Sequence, residues 1–133
     1  MVKDRWKTSK TSVYNVNYHI IWCVKYRKKI LTDKLETRLK ELILQKAKEI
    51  DICIKTMETD KDHIHLFVSA SPVKPIHWIV QQLKGFTSNK LRKEFSIART
   101  RIPSLWTRSY YVETIGHISE DTIKKYIEDQ QKI

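Results

Sequence analysis

Apolar and polar residues alternate along positions 13–24. Val16, Tyr18, Ile20, Trp22 and Val24 share one side, and Asn15, Asn17 and His19 share the other. A period of two marks a strand with one buried face. The polar side turns apolar at Ile21 and Cys23, which predicts cover on both faces at that end. The period then changes. Leu35, Leu39, Leu42, Ile43, Ala47 and Ile50 form one stripe of a helix over 33–50. Asp33 is a candidate cap for it, with Glu36 three residues on as the reciprocal partner.

Strand-like runs return at 52–58 and 63–70, and Thr59-Asp60-Lys61-Asp62 between them predicts a hairpin loop. Pro72 and Pro75 then break the sheet, and Pro75 suits the first turn of a second helix. Its early stripe is Ile76, Ile79, Val80 and Leu83. A fourth strand is expected over 105–114, followed by a break at Gly116. Ser119 caps a last helix, with Glu120 and Asp121 in its first turn and Ile118 and Ile123 placed as a hydrophobic staple.

The predicted order is β-α-β-β-α-β plus a C-terminal helix. This is an α+β, ferredoxin-like pattern, with an antiparallel sheet, two helices on one face and the other face open. With no repeat or linker and only two glycines, the 133 residues are expected to form one domain. Its core spans about 12–115 and its last helix about 119–131.

Composition narrows the partners. Twenty-six Lys and Arg against 15 Asp and Glu leave a formal net charge of +11, which favours a polyanion, nucleic acid first. The basic N-terminus has no apolar core behind it, and no run reaches the ~20 apolar residues of a membrane span. A cytoplasmic protein without a membrane partner is expected. Cys23 and Cys53 lie in apolar runs without metal-ligand spacing and are expected to be buried thiols.

The segment Asp62-His63-Ile64-His65-Leu66-Phe67-Val68 carries candidate chemistry. On a strand, His63 and His65 face one way while Ile64, Leu66 and Val68 face the other. The two imidazoles would stand about 6–7 Å apart at Cα, a spacing that suits two ligands of one metal ion. A pair of solvated histidines fits the same pattern. On the last helix Tyr126 and Gln130 are four apart and share a face with the flanking Ile123 and Ile127. An amphipathic core tyrosine fits that pattern equally.

Several spaced segments together resemble one family. His63-Ile64-His65 resembles the HUH motif, two histidines around a hydrophobic residue. Gln82-Leu83-Lys84-Gly85-Phe86-Thr87-Ser88, the block from Leu105 to Gly116, and Tyr126-Ile127-Glu128-Asp129-Gln130 resemble, in order, three further segments of single-tyrosine HUH transposases from bacterial and archaeal insertion sequences. The resemblance runs from about Tyr14 to Gln130. It implies Tyr126 as nucleophile and His63, His65 and Gln130 as ligands of a divalent metal. It also implies a homodimer acting on single-stranded DNA folded into hairpins.

The metal expected is Mg2+, with Mn2+ able to substitute, and no organic cofactor is expected. Lys25, Arg27, Lys28, Lys29, Lys84, Lys90, Arg92 and Lys93 are candidate phosphate contacts, and Tyr26 is a candidate for base stacking. Two other functions fit parts of the sequence. One is a non-catalytic single-strand-binding module of the same fold. The other is a domesticated nickase acting on repeated hairpins.

Overall fold

The computed structural model describes residues 16–115 and 128–129. Four antiparallel strands, β1 (Val16–Cys23), β2 (Cys53–Asp60), β3 (His63–Ala70) and β4 (Tyr111–Ile115), form one sheet in the order β2-β3-β1-β4. Two helices, α1 (Asp33–Glu49) and α2 (Ile76–Glu94), complete the β-α-β-β-α-β order that periodicity predicts. Glu128 and Asp129 are helical and exposed. The rest of the expected last helix, including Ser119, Ile123, Tyr126 and Gln130, lies outside the described residues.

The core forms where the two periods meet. Ile20, Trp22 and Val24 of the first strand run and Ile64, Leu66 and Val68 of β3 are buried with Leu35, Leu39, Leu42 and Ile43 of α1 and Ile79, Val80 and Leu83 of α2. Alternation along a strand sends every second side chain into this layer, and the helical stripes close over it. Arg38 on α1 grips Glu94 on α2 through two nitrogens, at 2.8 and 3.1 Å, and ties the helices at one end. No helix among the described residues is long and apolar enough to cross a membrane.

The structure departs from expectation at several boundaries. The hairpin turn is shorter, because β2 continues to Asp60 and pairs it with His63. Thr32, not Asp33, occupies the cap position of α1, and no side chain bonds the helix end. Glu36 turns instead toward β2, where its carboxylate accepts a hydrogen bond from the Thr59 hydroxyl. Pro75 sits just before α2, and its carbonyl accepts from the amides of Trp78 and Ile79. Cys23 and Cys53 are half-buried rather than buried, and neither is in a disulfide.

The fourth strand begins at Tyr111 rather than at 105. Trp106 makes a single bridge to Val24, Thr107 N donates to Cys23 O at the end of β1, and the carbonyls of residues 107–109 turn to α2. The Lys84 ammonium donates to the carbonyls of Thr107 at 2.6 Å and Ser109 at 3.2 Å. The Trp106 indole donates to the Thr87 hydroxyl, which donates in turn to the Leu83 carbonyl.

Candidate active site on the sheet face opposite the helices

The sheet face away from α1 and α2 is not open at its centre. His19 and Phe67 are fully buried there, and His65 is 2% exposed. Antiparallel pairing sets the rings side by side. His19 lies opposite Phe67 on β3 and opposite Glu113 on β4. The His19 ring stacks on Phe67 at 4.8 Å between centroids and on His65 at 5.4 Å. Tyr111 meets the same ring edge-on at 6.1 Å. Aromatic rings in these offset and edge arrangements cover one another, which a period-two pattern does not foresee.

His63 and His65 share this face as expected, with ring centroids 4.9 Å apart. Each has its Nδ1 engaged. His63 Nδ1 lies 2.7 Å from Asp62 Oδ1, and the other oxygen of Asp62 accepts from Arg27 Nε at 3.0 Å. Burial pushes the Asp62 carboxyl up, but the hydrogen bonds from His63 and Arg27 outweigh it and hold the group below its ordinary range. His65 Nδ1 lies 3.2 Å from His19 Nε2. Burial first, then repulsion from His63 and His19, lowers His65 to about 4, so it is a neutral base at neutral pH.

Imidazoles with Nδ1 occupied are suited to ligate through Nε2, which is how protein metal sites orient their histidines. Among the described residues no three His, Cys, Asp or Glu side chains converge as a metal-binding group. Any third protein ligand would come from another residue type or from outside the described region. Gln130, the expected third ligand, and Tyr126 both fall outside it.

The loop after β1 borders the site. Val24 N donates to Asp62 O at 2.9 Å and Lys25 N to Leu105 O at 2.8 Å, which bind the loop to β3 and to the 105–109 segment. Tyr26 and Arg27 both adopt left-handed backbone, at φ 59° and 53°. That conformation is unfavourable for a bulky residue and is held by surrounding contacts. It leaves Tyr26 66% exposed, with Lys25 Nζ 5.5 Å from the ring centroid.

The chain matches the family of IS200-like transposases over residues 12–130. It belongs to that family. It is 33% identical over 126 residues to the ISDra2 transposase TnpA of Deinococcus radiodurans, covering 93% of this chain and 90% of that protein. It is 25% identical over 123 residues to the transposase of insertion sequence IS200 from Salmonella typhimurium, covering 89% and 81%. A crystal structure of a D. radiodurans transposase superposes with a TM-score of 0.77 at 30% identity, over 93% of this chain and 97% of that one. A REP-associated tyrosine transposase bound to a REP hairpin shares the fold at 11% identity, with a TM-score of 0.62 over 89% and 68%.

Within this transposase the basic residues singled out from sequence separate into two groups. Lys25, Tyr26, Arg27, Lys28 and Lys29 lie together in the loop beside His63. Arg27 is committed to Asp62, and Lys28 Nζ donates to the Thr100 carbonyl at 3.1 Å. Lys84, Lys90, Arg92 and Lys93 lie on α2, in the helix layer. Lys84 is engaged with residues 107–109, and burial lowers its pKa. Arg92 donates to the carbonyls of Ala98 and Ile102. His19 carried no role in the sequence reading. Its place on the same side of β1 as Asn17 was the available signal, but partners 46 and 94 positions away were not legible.

Proposed function

We propose that this transposase cleaves and rejoins single-stranded DNA at hairpin-bearing element ends, using Tyr126 as nucleophile and a divalent ion held by His63, His65 and Gln130. The observation that carries the reading is the pair of Nδ1-bonded imidazoles, 4.9 Å apart on one sheet face, in a chain of the IS200-like family. The ion we assign is Mg2+, with Mn2+ able to replace it. The acting form is a homodimer.

Tyr126 Oη attacks the phosphorus, the bond to the 3′ oxygen breaks, and a 5′-phosphotyrosine and a free 3′-hydroxyl result. The phenolic proton is lost, and the departing 3′ oxygen gains one. A phenol with a pKa near ~10 is mostly protonated at neutral pH, so this step requires a proton acceptor. His63, His65 and Gln130 would hold the divalent ion, which would supply charge neutralisation at the phosphate. The covalent link conserves the phosphodiester energy, so a second 3′-hydroxyl can reverse the step without ATP. Lys25 and Lys29 would contact phosphates, and the exposed Tyr26 ring would stack on a base.

The test is a denaturing gel of protein with labelled single strands from both flanks of its own gene, with Mg2+, Mn2+ or chelator. The expected result is a metal-dependent, SDS-stable protein–DNA adduct that is absent with Tyr126→Phe and with His63→Ala. Tight hairpin binding without an adduct under either metal would replace this reading with a non-catalytic binding module.

A further inference from the structure

Among the described residues, His19 is the fully buried ionisable group of the sheet face that the proposed chemistry does not use. It sits mid-strand on β1, with its ring nearly parallel to those of Phe67 and His65. Its two nitrogens make different contacts. Nε2 lies 3.2 Å from His65 Nδ1, and Nδ1 lies 3.5 Å from Glu113 Oε1 on the neighbouring strand.

The positions of the protons follow from what each group can do. An ionised carboxylate only accepts, so the hydrogen on His19 is on Nδ1, facing Glu113. A neutral imidazole carries one N–H, so His19 Nε2 holds a lone pair and accepts. The donor in the contact between the two histidines is then His65 Nδ1–H. That leaves His65 Nε2 unprotonated. The reverse arrangement would turn the His19 Nδ1 lone pair toward the carboxylate, two acceptors face to face. A doubly protonated His19 would satisfy Glu113, but its ring is fully buried against Phe67, where a charged imidazole would lose its hydration. Asp62 does the same for His63 in a single step, at 2.7 Å.

We propose that Glu113 and His19 are positioning residues for the metal ligand His65, fixing through successive hydrogen bonds the tautomer whose Nε2 is free to ligate. This inference rests on the reading of His63 and His65 as ligands. It extends the site to β1 and to β4, the strand just before the segment that contains Tyr126.

The test uses the full chain without DNA. Mn2+ affinity is measured by calorimetry, and the imidazole nitrogens of the metal-free protein are assigned by long-range 1H–15N correlation. The variants are Glu113→Ala, His19→Phe, which keeps a ring on Phe67 but removes both nitrogens, and His63→Ala. In the metal-free wild type His65 is expected to be protonated at Nδ1 and not at Nε2. Glu113→Ala and His19→Phe are expected to be folded, to show both His65 tautomers, and to bind Mn2+ roughly 10- to 100-fold more weakly. A wild-type His65 protonated at Nε2, or variants that keep wild-type tautomer and affinity, would overturn the positioning role while leaving the ligand reading intact. Wild-type affinity in His63→Ala, or no Mn2+ binding by the wild type, would overturn the ligand reading itself.

Discussion

His65 is buried as a neutral base, with a folded pKa of about 4 against an ordinary 6.5. Burial of an imidazole in this state has a pH signature. Between those values the unfolded chain binds more protons than the folded one, so stability rises with pH across the window and falls as pH drops. The loss is on the order of 3 kcal/mol once pH is below about 4. His19 is lowered as well and acts in the same direction. The Asp62 carboxyl, held below its ordinary 3.8, loses its contribution only at still lower pH. Urea unfolding of metal-free protein should therefore show a marked decline from pH 7 toward pH 4, and His65→Phe should flatten it. A wild-type stability that is flat over this range would mean that His65 is not buried as described.

At the scale of elements, two of the segments that carry the family resemblance meet in space. Thr87 of α2 is fully buried, accepts from the Trp106 indole at 3.0 Å and donates to the Leu83 carbonyl. Lys84, one turn earlier, gathers the carbonyls of residues 107–109. These bonds set the course of the chain into β4 and hence the place of Glu113 beside His19. Thr87→Val keeps the side-chain shape but strands a buried indole N–H, and should lower stability by about 1–3 kcal/mol in chemical denaturation. Thr87→Ser, which retains the hydroxyl, should lose less. Equal stability of the valine variant and the wild type would show that the indole finds another acceptor.

At the scale of the molecule, a net charge of +11 favours DNA, but the structure removes some cations from that count. Lys28, Lys84 and Arg92 donate to the protein's own carbonyls, whereas Lys25 and Lys29 share the loop of the exposed Tyr26. Affinity for a hairpin-bearing single strand should fall linearly with salt on logarithmic axes, with a slope of ~0.7 per phosphate neutralised. Replacing Lys25 and Lys29 together by Gln should make that slope shallower by about 1.4, read by fluorescence anisotropy. An unchanged slope would place the phosphate contacts elsewhere.

The sequence by itself determined the order of elements, because hydrophobic period is a local property that each strand and helix needs in order to bury one face. It also determined that His63 and His65 share a side, since alternation along β3 allows nothing else. The basic residues were legible as charge but not as contacts. Whether a lysine meets a phosphate or a backbone carbonyl depends on what the fold brings within about 3 Å of it. The start of β4, the cap of α1 and the covered centre of the sheet were likewise misjudged, because each is settled by a partner distant in the chain. Only the tertiary structure decided that His19 and Glu113 belong with the two histidines. Strand register brings those positions together, and register is fixed when the whole sheet closes on its core.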